Sequence, residues 1–600
     1  MKTTFRYRGE RHFDRPPEAI WPALANSARI NELSGSAAYT YRERIDAAGR
    51  LHRVARGRFG PMWMSWEESV GEWEENRGYS QVRQFLDGPF RRFYVNLRIE
   101  PEPTGCRLVF VAEIDCVGLL GLAGKLSGLV RRECAMRVDT HVRVIEELAR
   151  PEIIPGEIAG GAIKGEAKRR FDAAVATLGD RALAAKLASY LDRAPISMLR
   201  GLRPLAFARE WGVAPERAVE LFLAAQRAGI LAMGWDLLCP RCRGAKSRVA
   251  NLHDLPTGAH CSSCNIDYGR DFTRNVELTF RPEPWLRQLP EGEFCMLGQG
   301  STPHVKLQAE VPAGAARRYA MPLAPGPYRF RTVEADGGEA NAEIGADGAI
   351  PSVTARGGEI VLGPATAGEI AIANETDGPL VFVVESREWA RDALTGERVI
   401  AMPSFRRLAP EQLLRPGDDA EIGRAIIMFT DLQGSTKLYD SLGDARAYHL
   451  VRDHFAYLSE RIGRHGGAVV KTVGDAVMAV FQDPAGAVRA ALAIQDEIEA
   501  FNEAEATKIV LKLGLHAGSC IAVTTGNVLD YFGSTVNTAS RLEHQCEGGE
   551  IIVSSAILAD PEANAALGGR RHRADSAMLR GLADRVEFVR VAHGSISSDG

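Results

Sequence analysis

Two aspartates each close an apolar run that reads as a β-strand, Asp431 at the end of "AIIMFTD" and Asp475 after "AVVKTVG". An aspartate beside a glycine has a backbone reason to be there, because Asx side chains cap turns and glycine tolerates positive φ. Two carboxylates brought side by side repel, however, unless a cation lies between them. Magnesium is a hard ion that takes one or two carboxylates together with substrate phosphates. The small-residue turn after Asp431, with Gly434, Ser435 and Thr436, can aim backbone N–H groups at such phosphates. The pair therefore has the chemistry of a two-metal site for a nucleoside triphosphate. Lys471 lies within the second apolar run, four residues before Asp475.

A second constellation is Cys239, Cys242, Cys261 and Cys264, two CxxC pairs flanking residues 243–260. Two such knuckles can hold four thiolates tetrahedrally on Zn²⁺, with no open position, so the expected ion is structural and not catalytic. A redox pair or unrelated surface cysteines are the alternatives. His260 is expected to support a ligand or to be exposed.

The elements that must position these residues are read in pieces. At 600 residues the chain is too long for one core, and roughly 150 residues per domain implies about four domains. A formal charge of -4 excludes a global basic field for nucleic acid or anionic membrane. The charged N-terminal stretch "MKTTFRYRGERHF" is not expected to act as a secretory signal or membrane anchor, and the run "CVGLLGLAGKLSGLV" is interrupted by Lys125, against a membrane span. Ten cysteines, four of them in CxxC pairs, suit a reducing compartment, so a cytoplasmic protein is expected.

The overall expectation is a multidomain α+β chain. Residues 1–150 show alternating strands, "FYVNLRI" and "CRLVFVAEI", and then a helical stretch from about 118 to 148. This pattern resembles the helix-grip fold of polyketide-cyclase and START-like proteins, which implies an apolar cavity and a small apolar ligand, with Trp63, Trp66 and Trp73 as candidate lining. Residues 151–177 read as a linker and 178–236 as a helix-turn-helix or winged-helix segment. The second helix there carries a balanced face of Glu216, Arg217, Glu220 and Arg227, which argues against DNA. A zinc ribbon over 237–285, a β-sandwich-like domain over 290–402 and a linker over 403–421 follow. Residues 422–595 alternate in the order βαββαββ, a ferredoxin-like fold whose first strand and hairpin would be neighbours.

The motifs "FTDLQGST", "KTVGDAVMAVF", "GLHAGS" and "LDYFGSTVNTASRLE", in this order and spacing, resemble the class III nucleotidyl cyclase catalytic domain. The resemblance implies that Asp431, Asp475 and the Leu432 backbone bind two Mg²⁺ or Mn²⁺ ions. It implies that Lys471 and Asp530 read the purine, and a Lys/Asp pair complements adenine's donor and acceptor pattern. It further implies that Asn537 orients the ribose and Arg541 counters charge at the phosphoryl group. The family's late phosphate-binding lysine corresponds to Arg580, a departure from the pattern, since Arg holds phosphate with a different geometry. His516 is expected to be structural. All these roles in one chain imply a symmetric homodimer with sites at the interface. The helix-turn-helix, ribbon and β-rich segments look like a module found upstream of some bacterial cyclase domains. The expected activity is an adenylate cyclase regulated by its N-terminal domains. The alternatives are a guanylate cyclase, or a non-enzymatic ligand sensor or transcription regulator.

Overall fold

The structure is a computed structural model that describes residues 2–34, 40–45, 51–59, 62–69, 71–148, 162–261, 266–290, 299–334, 337–387, 392–400, 402–409, 411–414, 419–435, 438, 442–505, 508–525, 528–580 and 585–592. Among them no helix is long and apolar enough to cross a membrane.

The C-terminal domain is built on strand β1 (Asp419–Leu432) and helix α1 (Asp444–Arg464). The hairpin β2 (Ala468–Val473) and β3 (Ala476–Phe481) and helix α2 (Pro484–Asp496) follow. Next come β4 (Leu511–Thr525), β5 (Val528–Phe532) and helix α3 (Ser534–His544). Three further strands, β6 (Ile551–Ser554), β7 (His572–Met578) and β8 (Arg585–Val591), complete the sheet. The strand order is β2-β3-β1-β4-β6-β8-β7, with β5 paired to β4. The β2-β3-β1-β4 core is ferredoxin-like, but the formula βαββαββ stops short, because three more strands widen the sheet after α3.

Strand β1 is apolar on both sides because both faces are covered. Ile426 and Met428 pack with Leu450, Leu458 and Ile462 of α1 and with α2. On α1, Tyr448 is exposed and Leu450 is buried. On the opposite face, Ile427, Val470, Met478 and Val480 belong to one core with Phe405, Leu414, Trp235 and Phe280 of the preceding modules. The expected linker 403–421 is therefore not a free tether. Its helix Pro403–Leu408 buries Phe405 edge-on against Trp235 at a centroid distance of 5.9 Å. The buried Gln412 Oε1 accepts from Trp235 Nε1 and from the Leu252 backbone N–H, both at 2.9 Å. On the other side, Gln482 Nε2 donates to the Glu397 carbonyl at 2.9 Å and Thr524 Oγ1 to the Leu414 carbonyl at 3.0 Å.

In the middle, helices Pro204–Trp211 and Pro215–Arg227 meet at Gly212, whose φ of 64° a side chain would resist, and strand Leu231–Leu238 follows. The expected linker 151–177 contains helix Gly165–Val175, anchored by the buried Phe171. Two four-stranded layers between residues 305 and 386 enclose Leu307, Phe330, Ile350 and Ile370. One layer continues into the N-terminal sheet, where strand Glu72–Glu74 pairs with strand Val305–Val311. The N-terminal helical stretch breaks into Gly118–Leu126 and Leu129–Leu148, at Gly128 with φ 75°.

His454 of α1 is fully buried, neither ring nitrogen has a hydrogen-bond partner, and burial pushes its pKa down to about 4. A folded pKa below the unfolded value of about 6.5 contributes stability that is complete above that pH. The contribution is lost as pH falls towards the folded value, and His141 and His304 in the other domains share the direction. His454→Leu removes two unsatisfied polar atoms. It should raise the melting temperature of the C-terminal domain at pH 5 and flatten its decline with acidification. Calorimetry across pH 4–7 checks this, and an unchanged slope would reject it.

Candidate active site

Asp431 stands at the end of β1, and the antiparallel register with β3, which pairs Thr430 with Val477, carries it to Ala476 and the Asp475 turn. Gly474 takes φ 64°, so the hairpin reverses without a side-chain clash. Asp475 Oδ2 is buried with no hydrogen-bond partner. A carboxylate oxygen withdrawn from water with no donor is costly unless a cation satisfies it. The register thus brings Asp431 and Asp475 to one edge of the sheet, and carboxylate oxygens are the ligand type that Mg²⁺ or Mn²⁺ takes. Gly434 turns the chain at φ 68° and Ser435 is half-buried. Thr436 lies outside the described residues.

Lys512, which sequence reasoning missed, is the cross-strand partner of Asp431 in the β1–β4 ladder. Its Nζ lies 2.6 Å from Asp431 Oδ2 and 3.1 Å from Oε1 of the buried Glu543 on α3. Burial opposes the Lys512 ammonium, but the two carboxylates outweigh it and hold its pKa above the usual lysine value. Burial pushes the Glu543 carboxyl up, against the pull of Lys512. The available signal was a cation breaking the alternation of "KIVLKLGLHAG" on a strand expected in the same sheet.

Lys471 and Asp530 come together from β2 and β5, with Nζ 2.6 Å from Oδ2. The other Asp530 oxygen accepts from the Tyr531 N–H at 2.8 Å, which fixes the carboxylate. Asn537 is exposed and Arg541 half-exposed, one turn apart on α3. Arg580 is not brought near Asp431. It is exposed just beyond the C-terminal end of β7, whereas the registers place Asp431 at the end of the sheet where β7 begins. His516 is half-buried on β4, opposite Ile427, and burial lowers its pKa.

Among the cysteines, Cys239, Cys242 and Cys261 are buried with sulfurs all within 4.8 Å of one another. The Arg241 N–H points at Cys239 Sγ at 3.4 Å, the donation expected of a knuckle stabilising thiolate. Cys264 lies outside the described residues. His260 is exposed and pairs with Asp267 at 3.0 Å. The knuckle also seats on the sandwich, where Arg329 donates to the Pro240 carbonyl at 3.1 Å. Two charges of the helix Pro215–Arg227 are paired within the chain, Arg217 to Asp180 and Glu220 to Arg407.

The N-terminal cavity has a mixed lining, apolar as expected on one part and charged on another. About 60 Å³ is lined by Glu68, Glu72, Arg83, His141 and Gln299 beside Trp73 and Phe110. Trp66 is buried in a separate small cluster, while Trp63 is exposed. The polar lining comes from alternate strand positions that the helix Leu129–Leu148 and the turn at Gln299 cover.

Residues 419–566 match the family described as the adenylate and guanylate cyclase catalytic domain. Residues 165–294 match a family of unknown function, DUF5939. Adenylate cyclase 2 of Rhizobium meliloti (strain 1021) is 26% identical over 245 residues, covering 38% of this chain and 63% of its own length. Adenylate cyclase 1 of the same organism is 29% identical over 184 residues, covering 26% of this chain and 28% of its own. The chain thus spans less than two thirds of the length of these relatives. The solved structure of the adenylyl cyclase CyaB from P. aeruginosa is 23% identical and aligns over 30% of this chain and 100% of its own, with a TM-score of 0.27.

Proposed function

With a nucleotide cyclase catalytic domain in its C-terminal part, we propose that the chain is an adenylate cyclase that converts ATP to 3′,5′-cyclic AMP and pyrophosphate. The observation that carries the adenine reading is the Lys471–Asp530 pair, a donor and an acceptor held side by side at 2.6 Å. Lys471 donates to a ring nitrogen of adenine and Asp530 accepts from its exocyclic amine. Guanine presents the reverse pattern and would leave both groups unsatisfied, which is where large discrimination arises.

Asp431, Asp475 and the Leu432 carbonyl would hold two Mg²⁺ or Mn²⁺ ions, which when bound supply Lewis-acid stabilisation of the phosphoryl charge. Gly434, Ser435 and Thr436 would offer polar groups to the triphosphate. Asn537 orients the ribose so that its 3′-oxygen attacks the α-phosphorus in line. The bond to pyrophosphate breaks, and Arg541 counters the charge that develops. Arg580 serves the triphosphate of a partner's site, in keeping with its distance from Asp431 in its own chain. We assign the assembly as a homodimer in which one protomer supplies the aspartates and the other the base-reading pair. Val473 and Phe532, apolar and more than half exposed beside Lys471 and Asp530, support a second copy at this surface.

Turnover of ATP and GTP by the purified full chain under Mg²⁺ and Mn²⁺ tests the reading. ATP turnover should exceed GTP turnover, and Asp431→Asn should reduce both to below about one hundredth. Lys471→Glu combined with Asp530→Cys should invert the preference. Faster GTP turnover by the unmodified chain would reject the base-reading assignment.

The N-terminal modules regulate the reaction through the packed segment 402–414, which holds the Lys471 face of the sheet against the middle module. Gln412→Ala removes the acceptor for Trp235 and Leu252 and should raise ATP turnover at least about twofold, the scale of a few tenths of a kcal/mol in a positional equilibrium. Unchanged or lower turnover, with an unaltered melting profile, would count against restraint.

Cys239, Cys242 and Cys261 would hold a structural Zn²⁺ with Cys264 as fourth ligand. Metal analysis should return one zinc per chain, and Cys242→Ser should lose it together with the stability of the middle module. A zinc-free protein with an undiminished melting temperature would reject this.

A further inference from the structure

Two carboxylates, Asp431 and Glu543, meet one ammonium at the end of β1. Asp431 and Asp475 lie at the β1–hairpin edge, and Lys512 bridges Asp431 to Glu543 at 2.6 and 3.1 Å. The bridge is built into the fold. Asp431 and Lys512 are paired by the β1–β4 register, and Glu543 is held close to β4 because residue 514 is glycine. A Cβ at Gly514 would stand 2.1 Å from the Glu543 backbone nitrogen. The second Glu543 oxygen faces His544 Nδ1 at 3.0 Å, so Oε1 is the side committed to Lys512.

We propose that Lys512 is a resident counter-ion of Asp431 which competes with divalent cations for that carboxylate, and that Glu543 is the positioning residue that receives the ammonium when it is displaced. This rests on the reading of Asp431 and Asp475 as the metal pair. An ammonium at 2.6 Å draws on the same Asp431 charge that a cation needs, so ion entry has to weaken the Lys512–Asp431 contact. Glu543 makes that exchange short, because Nζ already touches it and needs no journey to solvent. Two effects of opposite sign follow. Removing Lys512 removes the competitor, whereas removing the Glu543 charge leaves the ammonium with Asp431 alone and strengthens the competition.

The test is Mn²⁺ binding to the full chain without nucleotide, read from the electron paramagnetic resonance of the free ion. Lys512→Met should bind Mn²⁺ on the order of tenfold tighter than the unmodified chain, the scale of one partly buried charge pair. Glu543→Gln should bind several-fold weaker. The double variant Lys512→Met/Glu543→Gln removes the buried Glu543 charge together with its lysine partner, should bind as tightly as Lys512→Met, and carries the test if the single lysine variant does not fold. Weaker or unchanged binding in the lysine variants overturns the competition, and unchanged binding in Glu543→Gln overturns the anchor. If Asp431→Asn keeps the full affinity, the metal reading of Asp431 fails instead, an outcome separate from both.

Discussion

The site depends on the antiparallel pairing of β1 with a neighbour on each side. Pairing with β3 carries Asp431 to the Gly474–Asp475 turn, and pairing with β4 sets it opposite Lys512. A slip of one residue in either ladder would send the paired side chains to opposite faces of the sheet. Register is strongly specified here because both faces are buried. Ile426 and Met428 fill one core and Ile427 the other, so a slipped strand would exchange packed aliphatics between differently shaped cavities.

The same two-sided burial makes the catalytic domain a continuation of the chain before it. Helices α1 and α2 cover one face of the sheet, and α3 together with the core that begins in the middle module covers the other. Polar side chains fix this junction. Gln412 ties the connecting segment to Trp235 and Leu252, Thr524 ties the catalytic sheet to its Leu414, and Gln482 ties the sheet to Glu397 just before it. Buried hydrogen bonds of this kind set orientation more than stability, because each contributes little net energy yet is expensive to leave unmade. A change in the middle module therefore has a mechanical route to the strands that carry Lys471. The N-terminal sheet joins the same framework, since Glu75 and Lys306 pair at 2.7 Å across the strand contact that fuses it to the sandwich.

Charge inside the candidate site is arranged with the same few contacts. Asp475 keeps an oxygen without a donor, and Asp431 shares a lysine with Glu543. The Lys471–Asp530 pair is half-exposed at the lysine and held at the aspartate by a backbone N–H, so one partner is adjustable and the other rigid. Such an asymmetry suits a pair that exchanges its mutual contact for a planar ligand.

Local chemistry was legible in the amino-acid sequence wherever neighbours in the chain carry the signal. The apolar runs ending in Asp431 and Asp475, the turn at Gly474, the spacing of Asn537 and Arg541 on one helix face and the CxxC pairs are all of this kind. Their physical basis is short-range, in strand and helix periodicity and in the conformational freedom of glycine. Lys512 and Glu543 were not legible, because each looks like an ordinary polar position in its own element. Only the ladder pairing and the close approach of α3 at Gly514 bring them to Asp431. The connecting segments read as linkers from their proline, glycine and charge, yet Phe171, Phe405 and Gln412 anchor them in cores formed by distant residues. The charged part of the N-terminal cavity lining was hidden for the same reason. Its lining residues alternate on strands as solvent-facing positions do, and a covering helix and the turn at Gln299 decide that they face inward. What sequence determined is the inventory of reactive groups and their local geometry, and what tertiary structure decided is which buried charges share a neighbour, since that follows from register and layer packing between residues far apart in the chain.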